Sequence, residues 1–179
     1  MTVPTGGAKP MTAEEALKTA IAFETKVRDV YLSAVEESND ETGKRVFRVL
    51  AKEEQGHLDY LLYRQKELAE SGDINPEKVD RFVPSRKQLE AKAGSLKGSL
   101  ESKVTDTEIK LLMKAIEVET QTYEFYKSVA GQMDGNVQKM FAQFMEIEEG
   151  HVAIVQAELD AVNGDGFFFG MEEFNMEMG

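Results

Sequence analysis

The chain contains no cysteine, which removes disulfides, zinc ribbons, iron–sulfur ligation and thiol catalysis from consideration. Its four prolines are Pro4, Pro10, Pro76 and Pro84, so two long stretches, 12–71 and 105–162, run without a strong helix breaker. No apolar run approaches the length of a membrane span, and 1–11 lacks the apolar centre of a signal peptide. A soluble, cytoplasmic protein with no membrane role is expected. Positive charge is scarce: 21 Lys and Arg stand against 33 Asp and Glu, a net charge of −12. That balance disfavours nucleic acid as a partner and favours cations. It is also uneven, because Lys139 is the last basic residue and nine acidic residues follow it. At 179 residues, the chain suffices for one domain with a sizeable core.

What the chain does have is helical periodicity. Thr12 with Glu15 and Thr105 with Glu108 match the capping box that starts a helix. Polar clusters at Ser38-Asn39-Asp40 and Asp134-Gly135-Asn136 divide each stretch in two. The reading is all-α: four helices of roughly 26 residues, each about 39 Å long, paired by short turns into two antiparallel hairpins. Between the hairpins, 72–104 is a crossover long enough to run back along a bundle, with room for a short helix over 85–96. Apolar stripes mark the inward faces. They comprise Ala13, Leu17, Ala20, Val27, Tyr31 and Ala34 in the first helix, and Val46, Leu50, Leu58, Leu61 and Leu68 in the second. Ile109, Leu112, Ile116, Tyr123, Tyr126 and Met133 follow in the third, then Val137, Phe141, Phe144, Val155 and Leu159 in the fourth. The methionines are expected to fill core gaps.

Each stripe is interrupted near its middle by an ionisable residue: Glu24, then Glu54 with His57, then Glu119, then Glu148 with His151. Carboxylates on buried faces are costly unless compensated, and no Lys or Arg is read onto these stripes. Metal is the simplest compensation, since four Glu balance two divalent cations and two neutral imidazoles complete the coordination. Glu-x-x-His sets carboxylate and imidazole about one turn apart on one helix face. A lone Glu-x-x-His is ordinarily a solvated face, but here both histidines of the chain sit in that motif, one in each hairpin. The halves also repeat: Glu24 and Tyr31 match Glu119 and Tyr126 at an offset of 95, while Glu54 and His57 match Glu148 and His151 at 94. Glu53, Glu117 and Glu146 lie close in sequence but on other faces, solvated or behind the ligands. Gly56 and Gly150 point away from the metal face and suit close helix packing.

This pattern resembles the ferritin-like di-iron carboxylate proteins, in which two helices each give one Glu and the other two each give Glu-x-x-His. Within them it looks most like the rubrerythrin family. The likeness lies in the Tyr seven residues after each single Glu, the long crossover and the bundle length, and it covers 12–162. It implies a ferritin-like four-helix bundle holding two iron ions on Glu24, Glu54, His57, Glu119, Glu148 and His151. Tyr31 and Tyr126 are then expected to hydrogen-bond ligand carboxylates. The implied activity is redox: reduction of hydrogen peroxide, or its use to oxidise Fe(II). Rubrerythrins commonly carry a further rubredoxin-like domain with four Cys; none is present here, so electrons are expected from an external donor such as a rubredoxin-like protein. They also commonly offer an extra Glu three residues before the third-helix ligand. Ile116 stands there, which argues against a ligand exchange that moves one iron.

Other readings use the same ligands: a ferroxidase for iron storage, an oxygenase acting with dioxygen on an organic substrate, or a manganese site of catalase type. Assembly size separates enzyme from store, a homodimer being expected for peroxide chemistry and a hollow shell for storage. The remaining segment, 163–179, is an acidic tail bearing Phe167, Phe168 and Phe169. Its aromatic density favours docking on the bundle or on a partner subunit over free disorder.

Overall fold

The computed structural model describes residues 10–75 and 106–163; the crossover and its short helix, the Thr105 cap and the tail lie outside the described residues. Four helices make up what is described: α1 (Ala13–Glu37), α2 (Glu41–Ser71), α3 (Asp106–Ala130) and α4 (Gly135–Asn163). The molecule is an all-α four-helix bundle of two helical hairpins, α1 with α2 and α3 with α4. No helix is long and apolar enough to cross a membrane among the described residues.

Local chemistry sets the ends. The Thr12 hydroxyl accepts from Glu15 N at 3.2 Å, and the Glu15 carboxylate accepts from Thr12 N at 2.8 Å, which is the capping box expected from the sequence. Ser38 leaves the helix in an extended conformation, and Asp40 caps α2 by accepting from Gly43 N at 2.6 Å. α2 ends at Gly72, whose φ of 76° is left-handed backbone that glycine adopts without a Cβ penalty. The second turn falls earlier than the sequence suggested. α3 stops at Ala130 and α4 already begins at Gly135, so the break is Gly131-Gln132-Met133-Asp134. Met133 therefore belongs to the turn and not to the α3 stripe.

α1 runs antiparallel to α3. Phe23 stacks on Phe125, Lys26 bonds Gln121, Tyr31 bonds Glu119 and Ser38 bonds Glu108, the α3 numbers falling as the α1 numbers rise. Glu108 is buried and accepts from Ser38 Oγ at 3.0 Å and from Asn39 N at 2.9 Å. It thereby binds the α1–α2 turn to the start of α3. At the other end of α2, Asp73 accepts from Asn136 at the start of α4. The two chain ends that the crossover joins thus lie at opposite ends of the bundle.

The core is in two parts. One contains Leu17, Ala20, Tyr60, Leu61, Tyr126, Phe141 and Phe144; the other contains Val27, Tyr31, Phe47, Leu50, Leu112, Ala115 and Val155. In sequence, the interrupting residues fall between members of the two clusters: Glu24 between Ala20 and Val27, for example, and His57 between Ala51 and Tyr60. On α3 the buried face is turned slightly from the expected stripe. Leu111, Ala115, Val118 and Val129 are buried, while Ile109, Ile116 and Tyr123 are half-buried. Met140 fills the core as expected, but Met113 is exposed.

Candidate metal centre

Between the two apolar clusters lies a polar belt. Glu24, Glu54, His57, Glu119, Glu148 and His151 are each 0 % exposed, and all six meet there, contributed by all four helices. His57 Nδ1 lies 3.2 Å from Glu24 Oε2, 3.2 Å from Glu54 Oε2 and 3.4 Å from Glu148 Oε1. His151 Nδ1 lies 2.8 Å from Glu54 Oε1, 3.7 Å from Glu119 Oε1 and 3.9 Å from Glu148 Oε2. The imidazoles stack, their centroids 5.2 Å apart and their planes 13° from parallel. Glu54, His57, Glu148 and His151 each offer a ligand atom within 4.8 Å of the others.

Most of this proximity is not hydrogen bonding, the 3.2 Å contact of His57 Nδ1 with Glu24 Oε2 being the exception between imidazole and carboxylate. Both oxygens of Glu54 and of Glu148, Glu119 Oε2, His57 Nε2 and both nitrogens of His151 have no hydrogen-bond partner. Even the 2.8 Å approach of His151 to Glu54 lacks hydrogen-bond alignment. Buried polar atoms are almost always satisfied in folded proteins. So many unpartnered lone pairs turned toward one another form a donor set for a cation, and the mix of carboxylate and imidazole fits divalent first-row metals.

The phenols complete the belt reciprocally. Tyr31 of the first hairpin donates to Glu119 Oε1 of the second, and Tyr126 of the second donates to Glu24 Oε1 of the first. In the protein alone, protons must balance the carboxylates. Burial raises Glu24 to about 8 against the opposing pull of His57. Burial likewise raises Glu119, and lifts Glu148 well above the ordinary carboxylate range with the help of neighbouring carboxylates. Burial would also raise Glu54, but the two imidazoles hold it well below its usual value. Burial would lower the imidazoles, yet the carboxylates outweigh it, raising His151 and lifting His57 well above 6.5. Both phenols are pushed well above 10.0 by burial and by nearby carboxylates, and stay protonated donors.

Of the neighbouring acids, Glu117 and Glu146 are exposed, whereas Glu53 is buried. One expectation needs correcting, since a basic residue does lie inside the bundle. Arg64 is 0 % exposed, paired with Glu67, and its guanidinium carbon lies 4.8 Å above the rings of both Tyr60 and Tyr63. An apolar-stripe reading passes over arginine, although its spacing of seven from His57 puts it on the same face of α2. Tyr60, three residues after His57 and buried, was missed likewise. No protein-family model, curated protein or solved structure matches the chain.

Proposed function

We propose that the chain is a di-iron redox protein of rubrerythrin type, which reduces hydrogen peroxide, or uses it to oxidise Fe(II), with electrons from a separate donor. One observation carries the reading: four carboxylates and two imidazoles from four helices converge in a fully buried belt, where both oxygens of Glu54 and Glu148, Glu119 Oε2 and His151 Nδ1 have no hydrogen-bond partner. Glu24, Glu54, His57, Glu119, Glu148 and His151 would hold the ions, which would supply reversible one-electron chemistry. Iron over manganese rests on the resemblance of the ligand pattern to that family.

The chain's own residues prepare the centre. Each phenol occupies one oxygen of a carboxylate and so fixes the direction of the other: Glu119 Oε2 is left without a hydrogen-bond partner, and Glu24 Oε2 faces His57. Tyr31 and Tyr126 are therefore positioning residues. The flanking apolar clusters exclude bulk water, which strengthens every electrostatic interaction inside. With four Glu against two divalent ions, the belt is neutral in one oxidation state and accumulates positive charge on oxidation. Anionic oxygen products retained there would offset that charge.

Two measurements test the reading. Protein purified without added metal should contain iron by elemental analysis. After reduction, stopped-flow absorbance should show faster oxidation by hydrogen peroxide than by dioxygen at equal concentration. Oxidation by dioxygen at an equal or higher rate would replace peroxide chemistry with a ferroxidase reading. Failure to bind any transition metal would overturn the centre itself.

A further inference from the structure

The ligands of the two hairpins match pairwise, but what lies behind the two tyrosines does not. Behind Tyr31 the nearest aromatic ring among the described residues is Phe47, 6.3 Å away and buried in the core. Tyr126 instead stacks on Phe144, with centroids 5.1 Å apart. Phe144 lies 5.6 Å from Tyr60 and also 5.6 Å from the His57 ring. The Arg64 guanidinium, 4.8 Å from each ring, packs Tyr60 and Tyr63 into one stack. Tyr63 is 49 % exposed, whereas Tyr60 is 1 % exposed.

Resting on the redox reading above, we propose that Tyr126, Phe144, Tyr60, Arg64 and Tyr63 form a one-electron path from the buried Glu/His belt to the surface. Tyr63 is its terminus, where an oxidising equivalent is discharged when no external reductant is at hand. The contacts are van der Waals steps between rings, and electron tunnelling weakens exponentially with the gap between groups. A continuous stack is therefore favoured over the same distance through aliphatic side chains.

The path matters when the centre can give one electron and not two. Cleaving the O–O bond of hydrogen peroxide to give two waters takes two electrons and two protons. The centre supplies one electron and Tyr63 the other. The Tyr63 phenol loses its proton to water and becomes a neutral radical; one further proton comes from solvent, so electrons and protons balance. Phe144 and Arg64 are not oxidised. Phe144 couples the rings, and Arg64 bridges the two tyrosines, its guanidinium lying over both rings. Because Tyr63 meets solvent, its radical can be reduced from outside, which spares the ligands.

Tyr123 provides an internal control. It is half-buried and stacked with Lys127, and no ring contact joins it to Tyr126 or Phe144. The experiment uses protein loaded with two Fe(II), pre-oxidised with one equivalent of ferricyanide and treated with hydrogen peroxide in the presence of a nitroso spin trap. Adducts are assigned to single residues by tandem mass spectrometry, since Tyr60 and Tyr63 lie three positions apart, as do Tyr123 and Tyr126, while absorbance follows the metal. The expected result is an adduct on Tyr63 and none on Tyr123. Y63F should lose that adduct and gain adducts on Tyr60 or Tyr126, with unchanged metal content. Adducts spread equally over Tyr63 and Tyr123, with the absorbance change intact, would overturn the path and leave the centre standing. Absence of any absorbance change with peroxide would overturn both.

Discussion

Glu24 and Glu119 each sit between an imidazole and a phenol, so the phenol can be removed without removing the ligand. Tyr31→Phe and Tyr126→Phe should therefore retain metal, by elemental analysis, while changing the rate of peroxide oxidation by roughly 10- to 100-fold, as loss of a ligand's hydrogen-bond partner does. Glu119→Ala should abolish both, since it removes a donor and a charge. The same residues predict a pH dependence for the metal-free protein. Glu24, at about 8 in the fold against 4.5 when unconstrained, binds its proton more tightly in the native state. That stabilisation is present at low pH and is lost as the pH rises through about 8. Glu119 and Glu148, raised by burial, act in the same sense. So do His57 and His151, in which the carboxylates overcome burial. Glu54, held low by the imidazoles, opposes them only in the acid range below 4.5. Calorimetry of metal-free protein should thus give a lower Tm at about pH 9 than at about pH 6. A Tm that rises over that interval would contradict the burial of these groups.

At the scale of the helices, a buried joint that holds one hairpin to the other away from the belt is Glu108. Its carboxylate accepts from Ser38 Oγ and Asn39 N in the turn of the opposite hairpin. Glu108→Ala should destabilise the bundle by about 1–3 kcal/mol, the cost of losing two hydrogen bonds, one of them from the buried Ser38 hydroxyl. Urea unfolding should show this as a lower midpoint with an unchanged slope. The sequence alone could not assign this role, because Thr12-x-x-Glu15 and Thr105-x-x-Glu108 read identically and only tertiary packing brings Glu108 to the Ser38 turn. Where signals are local and repeated they were legible: the four helices, the first capping box, the turn at Ser38 and the interruptions at Glu24, Glu54, Glu119 and Glu148. The break at Gly131 was misplaced because Asp134-Gly135-Asn136 carries the stronger turn chemistry, yet Gly135 takes its left-handed conformation as the first residue of α4. The α3 face was read slightly askew because Ile109, Ile116 and Tyr123 are as apolar as the residues that fill the core. Arg64 was invisible to a hydrophobic pattern, since its burial depends on Glu67 and two tyrosine rings.

For the molecule as a whole, the belt is a liability without its cations and a clasp with them. All four helices contribute to the belt, so bound metal should stabilise the bundle by about 3 kcal/mol per ion at roughly a hundredfold excess over its Kd. Removing it with a chelator should lower Tm by roughly 10 °C or more for a domain of this size. His57→Ala and His151→Ala should each reduce metal content and thermal stability together. Equal melting of loaded and metal-free protein would contradict the clasp.

The reciprocal phenol–carboxylate bonds also make each half depend on the other. The first hairpin brings Glu24, Glu54 and His57, and the second brings Glu119, Glu148 and His151; the hydrogen bonds to Glu24 and Glu119 cross between them. Neither half therefore contains a finished cage. A chain made from its N-terminus has only half the donors in hand while α3 and α4 are still being synthesised. On the metal reading, the full set of donors exists only once the second hairpin has docked on the first. Anything that holds the hairpins apart should then deny the ions a complete cage, even where each half is helical.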